Sequence, residues 1–301
     1  TEKMKKEFVL SVIISLTFLI LGFLLLQYEL IGYGLSFFVF LPFLLGYILG
    51  KGAIKKFGLY GFIFSLITFL ILLLTGGLEG MVCVLMALPL VLFAFIFGYI
   101  IKKLIERIRS YKSNDNILKS SIFPLFLFLA LGFFEKDVTL NKKEVISVKT
   151  EMIFPYSTKE VYETIKAVDT LIADRPFLMK LGLPIPNKCI LEKEEVGGLR
   201  TCYFSGGTIT EKITELQKGK VLKMDVIDYK LTGRNWLGFK EATYYFDKVG
   251  EDSCKLTRIT TYTSTLTPRF YWKPLEKIGI SQEHDYVLEN LKNDLKSNYG
   301  R

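Results

Sequence analysis

Histidine is nearly missing from this chain: His284 is the one copy in 301 residues. A histidine-rich metal site is therefore excluded, and any Ser-His-Asp or Cys-His chemistry has to use that imidazole. Cysteine is scarce as well. Cys83 falls in an apolar run, and Cys189, Cys202 and Cys254 stand 13 and 52 residues apart, spacings that match no zinc pattern. A single disulfide is compatible with them but not indicated, and the cysteines read as small core residues rather than nucleophiles. No P-loop, G-x-G-x-x-G or G-x-S-x-G motif occurs, so no cofactor is expected. Charge is missing from four long stretches, 8–27, 32–50, 57–75 and 81–101, of 20, 19, 19 and 21 residues.

Those stretches divide the chain. Hydrophobic residues make up 50 % of it and charged residues 23 %, with a mean hydropathy of +0.33. Such figures coexist when apolar and charged residues are segregated. Residues 1–140 hold the apolar runs and 13 Lys and Arg against 8 Asp and Glu. Residues 141–301 hold 26 against 22 and read as a water-soluble domain. Disorder, collagen and a small disulfide scaffold are excluded by composition. The net charge of +9 does not point to nucleic acid, because no basic run with interleaved aromatics occurs in the second half.

About 20 helical residues cover the ~30 Å hydrocarbon core of a bilayer, so the four runs are expected as transmembrane helices. Lys3, Lys5 and Lys6 precede the first. Lys51, Lys55 and Lys56 lie between the second and third. Lys102, Lys103, Arg107, Arg109 and Lys112 follow the fourth. The remaining two loops carry Glu29 and Glu79 and no base. Basic loops face the cytoplasm, which places the N-terminus and the loop after the fourth run there. A fifth segment, 121–134, is 14 residues long and contains Pro124. Four crossings leave the C-terminal half in the cytoplasm, and five place it outside. The continuous apolarity and the basic upstream flank favour five. No ionisable residue lies inside the first four runs, whereas ion and proton pathways usually carry them. An anchor or small bundle is expected rather than a transporter. Gly22, Gly46, Gly61 and Gly98 are expected to serve helix packing, and Pro42 and Pro89 to bend their helices. Segment 102–112 has an apolar stripe between bases, which suits either a positive flank or a helix on an anionic membrane surface.

The second half alternates. Residues 145–154 read as a strand. Ser157-Thr158-Lys159-Glu160 is a capping box, followed by Val161, Ile165 and Val168 at helical spacing. After a proline-rich stretch come six strand-like runs, 189–195, 200–204, 208–216, 221–229, 240–248 and 253–265, separated by glycine-bearing breaks. Short turns of this kind imply an antiparallel meander. A helix over 281–296 closes the chain. Seven strands with one apolar face need a cover, and the last helix supplies it.

Four segments carry a resemblance: IFPYSTKEVYETIKAVD at 153–169, GGLRTCYFSGGTITEKITEL at 197–216 with Glu211 and Ile213, CKLTRITTYTS at 254–264, and YVLENLKNDLK at 286–296. Together they resemble the START/polyketide-cyclase (SRPBCC) superfamily over about 145–299. The resemblance implies a helix-grip fold, in which a curved sheet and a long C-terminal helix enclose a ligand cavity. The superfamily includes lipid carriers, metabolite receptors, aromatase/cyclases and hydroxylase subunits. This chain lacks the iron-binding His/Asp set and the Rieske Cys/His motif of the oxygenase branch. The expected architecture is thus a transmembrane bundle of four or five helices, 1–140, and a START-like α+β helix-grip domain, 141–301.

Strand alternation indicates which side chains face inward. Leu256, Arg258, Thr260 and Tyr262 share a face, as do Arg200, Cys202 and Phe204, then Ile209, Glu211 and Ile213, and then Leu222, Met224 and Val226. With the apolar members inside, Arg200, Glu211 and Arg258 go in with them. An Arg–Glu pair in such an interior either fixes the sheet or grips a polar ligand head. His284 lies near the start of the closing helix on its inward stripe, where the helix N-terminus favours the neutral imidazole. Trp236 in LTGRNWLGFK and the aromatic, basic PRFYWKP at 268–274 suit a portal or a bilayer surface. The reading is a membrane-anchored, non-enzymatic domain binding a lipid or other hydrophobic small molecule, oriented by Arg200, Glu211, Arg258, Tyr262 and His284. The alternatives are a cyclase- or dehydrase-like enzyme with His284 and Glu211 as acid and base, and a ligand sensor or interaction module. Membrane and apolar ligand are the expected partners, and no nucleic acid or metal is expected.

Overall fold

The computed structural model describes residues 2–50, 56–108, 117–140, 144–231 and 236–300. The basic loop at 51–55, the segment 109–116 and the stretch 232–235 of LTGRNWLGFK lie outside the described residues. The chain divides into two compact units. The first comprises 1–79, 83–143 and 265–271, and the second 80–82, 144–264 and 272–301.

The first unit is helical: α1 (Glu2–Gln27), α2 (Leu41–Leu49), α3 (Lys56–Thr75), α4 (Met81–Ile108) and α5 (Ile117–Leu140). Three stretches, Lys5–Gln27, Gly58–Thr75 and Met81–Ile108, are long and apolar enough to cross a membrane. The second apolar run departs from expectation. It forms only the helix Ser36–Leu49, of 14 residues, about 21 Å at 1.5 Å per residue. The reason lies in its start. Gly32 and Gly34 sit in the preceding turn, and the Glu135 carboxylate on α5 accepts hydrogen bonds from the Leu35 and Ser36 N–H groups, at 2.6 and 2.8 Å. A free helix N-terminus is satisfied there, so the helix begins late. Its first five residues, Ser36–Phe40, are π-helical. The fifth segment is longer than the 14-residue apolar run: α5 has 24 residues. Residues 102–108 of the basic segment continue α4.

Apolar side chains from all five helices form the core of this unit, among them Phe23 of α1, Leu45 of α2, Phe62 of α3, Phe95 of α4 and Phe128 of α5. The Phe62 and Phe95 rings stack with centroids 3.6 Å apart. The glycines serve packing as expected. A Cβ at Gly46 would run into the Phe95 carbonyl, and one at Gly98 into the Phe43 carbonyl, so α2 and α4 approach backbone to backbone.

The second unit begins with β1 (Glu144–Phe154), α6 (Thr158–Ile165) and the one-turn α7 (Phe177–Lys180). It continues with β2 (Pro186–Leu191), β3 (Leu199–Phe204), β4 (Gly207–Gln217), β5 (Val221–Leu231), β6 (Leu237–Gly250) and β7 (Ser253–Ser264). The Ser157 hydroxyl accepts from the Glu160 N–H at 3.3 Å, and the Glu160 carboxylate accepts from the Ser157 N–H at 2.8 Å, completing the expected capping box. Val168 falls beyond the helix, in a bridge to Cys189. β2 to β7 form an antiparallel meander. β7 then pairs with β1, so the order is β1-β7-β6-β5-β4-β3-β2. The Gly207 turn needs glycine: its φ is +141°, and a Cβ there would meet the Lys230 carbonyl.

α8 (Arg269–Tyr299) has 31 residues and starts twelve residues before the expected 281. The PRFYWKP segment, whose aromatic and basic composition suits a bilayer surface, supplies its first turns, and Trp272 is buried. The inner stripe of α8 faces the inner face of the sheet. Tyr286, Leu288, Leu291 and Leu295 pack with Phe154, Tyr162, Ile213, Met224, Tyr244, Phe246 and Leu256 in the main core. This seven-stranded antiparallel sheet around a long C-terminal helix is the expected helix-grip architecture.

Candidate functional site

The interior of the grip domain is not one continuous apolar core. Its main cluster lies along the C-terminal half of α8. A second, smaller cluster contains Ile146, Val148, Leu237 and Tyr262, with Trp236, Phe239 and Ile280 partly buried against it. Polar side chains separate the two. Along β1 the inward sequence is Phe154, Met152, Thr150, Val148, Ile146. Along β7 it is Cys254, Leu256, Arg258, Thr260, Tyr262. Antiparallel register sets Thr150 and Tyr244 opposite Arg258 on either side, and Arg200 opposite Glu211. Directly opposed residues share a face, so each of these groups points inward with its neighbour.

Arg200, Glu211 and Arg258 are therefore inside, as alternation predicted. Arg200 is 2 % exposed and Glu211 7 %. The Arg200 Nη1 donates to Glu211 Oε2 at 3.3 Å, and Nη2 donates to the Ile165 carbonyl at 3.4 Å. Arg258, 8 % exposed, places Nη2 at 3.0 and 2.9 Å from the two carboxylate oxygens of Glu283 on α8. Both guanidiniums lie against the Tyr244 ring, 5.7 and 5.6 Å from its centroid, within cation–π range. Burial pushes the Glu211 carboxyl above its ordinary value, against the opposing pull of Arg200 and Arg258.

His284 is fully buried, and both its ring nitrogens are engaged. Thr150 Oγ1 lies 2.9 Å from Nδ1, and Thr260 Oγ1 lies 2.7 Å from Nε2. A neutral imidazole donates through one nitrogen and accepts through the other, and the two hydroxyls take the complementary roles. Burial, reinforced by the Arg258 charge, pushes its pKa down to about 2. The expected neutrality is present, but its cause differs: α8 begins at Arg269, so His284 sits in mid-helix, far from the N-terminus. Tyr262 stands apart from the arginines. Its hydroxyl donates to Glu276 Oε2 at 3.2 Å, and the Ser264 hydroxyl donates to Glu276 Oε1 at 2.7 Å.

Sequence reasoning missed Glu276, Glu283 and Tyr244 as interior partners. Glu276, Ile280, Glu283 and Val287 recur at helical spacing ahead of Leu291. A helix drawn from 269 would have put both glutamates on the inner stripe. It also left open the disulfide that joins Cys189 and Cys202. These residues are a register pair of β2 and β3, so the bond fastens the edge strand β2 to the sheet. Cys254 is buried in the main core, and burial lifts its thiol to about 11. Among the described residues no group of three or more His, Cys, Asp or Glu side chains is placed to hold a metal ion.

No protein-family model and no curated protein matches the chain. Solved structures do align with it. Norcoclaurine synthase from Thalictrum flavum, in complex with dopamine and hydroxybenzaldehyde, is 15 % identical, with 55 % of this chain and 94 % of that one covered and a TM-score of 0.37. The ZhuI aromatase/cyclase from Streptomyces sp. R1128 is 10 % identical over 52 % of this chain and 98 % of that one, TM-score 0.38. Ara h 8.0201 is 10 % identical over 52 % and 100 %, TM-score 0.37.

Proposed function

We propose that this chain is a membrane-anchored binding protein whose grip domain, outside the cytoplasm, holds a hydrophobic small molecule between its sheet and α8. The observation that carries the reading is the polar layer dividing the interior into two apolar clusters. Burying charge is less favourable than burying hydrocarbon of similar volume, so a core built for stability alone would be continuous. Apolar walls with a few convergent polar groups are instead the composition of a small-molecule site. His284 has neither nitrogen free for proton transfer, which favours binding over the acid–base alternative. The anchor rests on the three apolar helices. The side rests on α5 as a further crossing from the basic loop after α4, and on the Cys189–Cys202 disulfide, since structural disulfides persist in oxidising compartments.

The test uses the full chain in bilayer nanodiscs with an uncharged photo-crosslinking probe, a diazirine-bearing fatty alcohol. Labels mapped by mass spectrometry are expected on inward residues of β1, β5 and β7 as well as on the helices. Labels confined to residues 1–140 would refute binding inside the grip. In intact cells an added protease should cut within residues 144–300. Protection until the membrane is opened would refute the assigned side.

A further inference from the structure

Neither arginine of the polar layer is satisfied by the protein. Arg200 uses Nη1 and Nη2 at the long end of hydrogen-bond distance, and its Nε–H has no partner. Arg258 places Nη2 at both Glu283 oxygens, and its Nε–H and Nη1–H have none. All three donors are buried. They belong to charged groups, for which an unmade hydrogen bond is most unfavourable. The two guanidiniums also share one ring, Tyr244, so both charges sit in one region of the interior.

The charges around that region are countable. Facing it are Arg200 from β3, Arg258 from β7, Glu211 from β4 and Glu283 from α8, with the His284 imidazole neutral beside them. Glu283 answers Arg258 with close contacts. Glu211 answers Arg200 at 3.3 Å through one oxygen. Burial favours the protonated form of Glu211, and a proton there leaves one positive charge without a counter-charge. A singly charged oxyanion supplies that counter-charge and accepts the open N–H donors. Guanidinium N–H groups and carboxylates pair through charge-assisted hydrogen bonds, which are stronger than neutral ones.

We infer that Arg200 and Arg258 together receive the carboxylate head group of an otherwise apolar ligand, through N–H groups that the protein leaves open. This inference rests on the reading of the grip interior as a ligand site, and narrows it from hydrophobic molecules in general to amphipathic acids.

The experiment compares 11-(dansylamino)undecanoic acid with its methyl ester, titrated at pH 7 into the full chain in nanodiscs, with empty nanodiscs subtracted. The two probes share the apolar body and differ in the head group. The acid is expected to bind at least tenfold more tightly than the ester, and Arg258→Met is expected to bring the ratio below about twofold. Equal binding of acid and ester by the wild-type protein would overturn the head-group assignment while leaving apolar binding in the grip intact. Binding of neither would overturn both. Should Arg258→Met fail to fold, Arg258→Lys keeps the charge but lacks the Nε–H and the planar fork. It is expected to lose most of the preference for the acid, and full retention would remove Arg258 from the site.

Discussion

Removing Arg200 should make the stability of the grip domain fall more steeply with rising pH than that of the wild-type protein, where the Arg200 charge opposes the upward shift of Glu211. In Arg200→Met the Glu211 carboxyl stays almost wholly buried and loses its ion-pair partner. It then has to fold in the protonated form. A free glutamate titrates near pH 4.3, so holding it neutral at pH 7 spans about 2.7 pH units at about 1.36 kcal/mol each, or about 3.7 kcal/mol. That lies within the ~3–5 kcal/mol typical of breaking a buried pair by removing one partner. The sign follows from the direction of the shift. A carboxyl whose folded pKa lies above its unfolded value contributes fully below about pH 4.3, and the contribution is lost as pH rises toward the folded value. Stability of Arg200→Met should therefore fall steadily from pH 5 to pH 8. Both tryptophans of the chain, Trp236 and Trp272, lie in the C-terminal half, so intrinsic fluorescence during urea unfolding of the full chain in detergent reports that half. The double variant Arg200→Met with Glu211→Leu removes both charges and should recover most of the loss. A single variant within about 1 kcal/mol of wild type and flat across this range would refute the placement of the pair.

Other elements make separate predictions. Gly98→Leu should force α2 and α4 apart, because a Cβ there meets the Phe43 carbonyl; a loss of about 1–3 kcal/mol, seen as a lower thermal midpoint by circular dichroism in detergent, is expected, and an unchanged midpoint would refute the close crossing. Cys202→Ser opens a loop of 13 residues and should cost about 3 kcal/mol, with hydrogen exchange accelerated at the β2 amides and not at β6 and β7. Glu194, bound by the Tyr162 hydroxyl, Lys166 and Lys218 at 2.7, 2.9 and 3.1 Å, is pushed up by burial, but these partners outweigh it and bring the pKa to about 2. Its contribution is present above about pH 4.5 and lost as pH falls toward 2. Glu194→Gln should flatten that part of the urea-unfolding profile by about 1–2 kcal/mol, a figure reduced for solvent exposure at Lys218, and a profile as steep as wild type would refute the assignment.

What the sequence revealed of this molecule depends on the range of the interaction concerned. Alternation with period two is local, and it located the inward faces of β3, β4, β5 and β7, including Arg200, Glu211 and Arg258. The Ser157 capping box is local as well, and it set the start of α6. The disulfide is not local. Cys189 stands opposite Cys202 because Leu191 pairs with Arg200; a strand drawn over 189–195 instead of 186–191 hides that register. The short helix of the second apolar run also has a distant cause, the Glu135 carboxylate a hundred residues on. The early start of α8 is not visible in the sequence, where Pro274 stands inside the helix. Trp272 and Glu276 are buried on either side of the proline, and burial on this scale outweighs the one hydrogen bond that a proline removes near a helix start.

The polar layer is where local and distant constraints meet. Thr150, Arg258 with Thr260, and Glu283 with His284 come from the beginning, the late middle and the end of the grip domain. Each interrupts an otherwise apolar inward stripe at the same level. The register Thr150↔Arg258 aligns the first two, and hydrogen bonds from His284 to Thr150 and Thr260 align the third. A one-residue slip of β1 against β7 would turn Thr150 outward and bring Lys149 or Glu151 in. The layer therefore disfavours alternative registers even though it contributes less to stability than hydrocarbon would. Specifying the register, however, needs only the hydroxyls and the imidazole, whose contacts engage both ring nitrogens. The arginines do not complete that alignment, and they keep buried N–H groups without a partner. Structural specification thus accounts for Thr150, Thr260 and His284, and leaves Arg200 and Arg258 as the part of the layer that asks for a ligand.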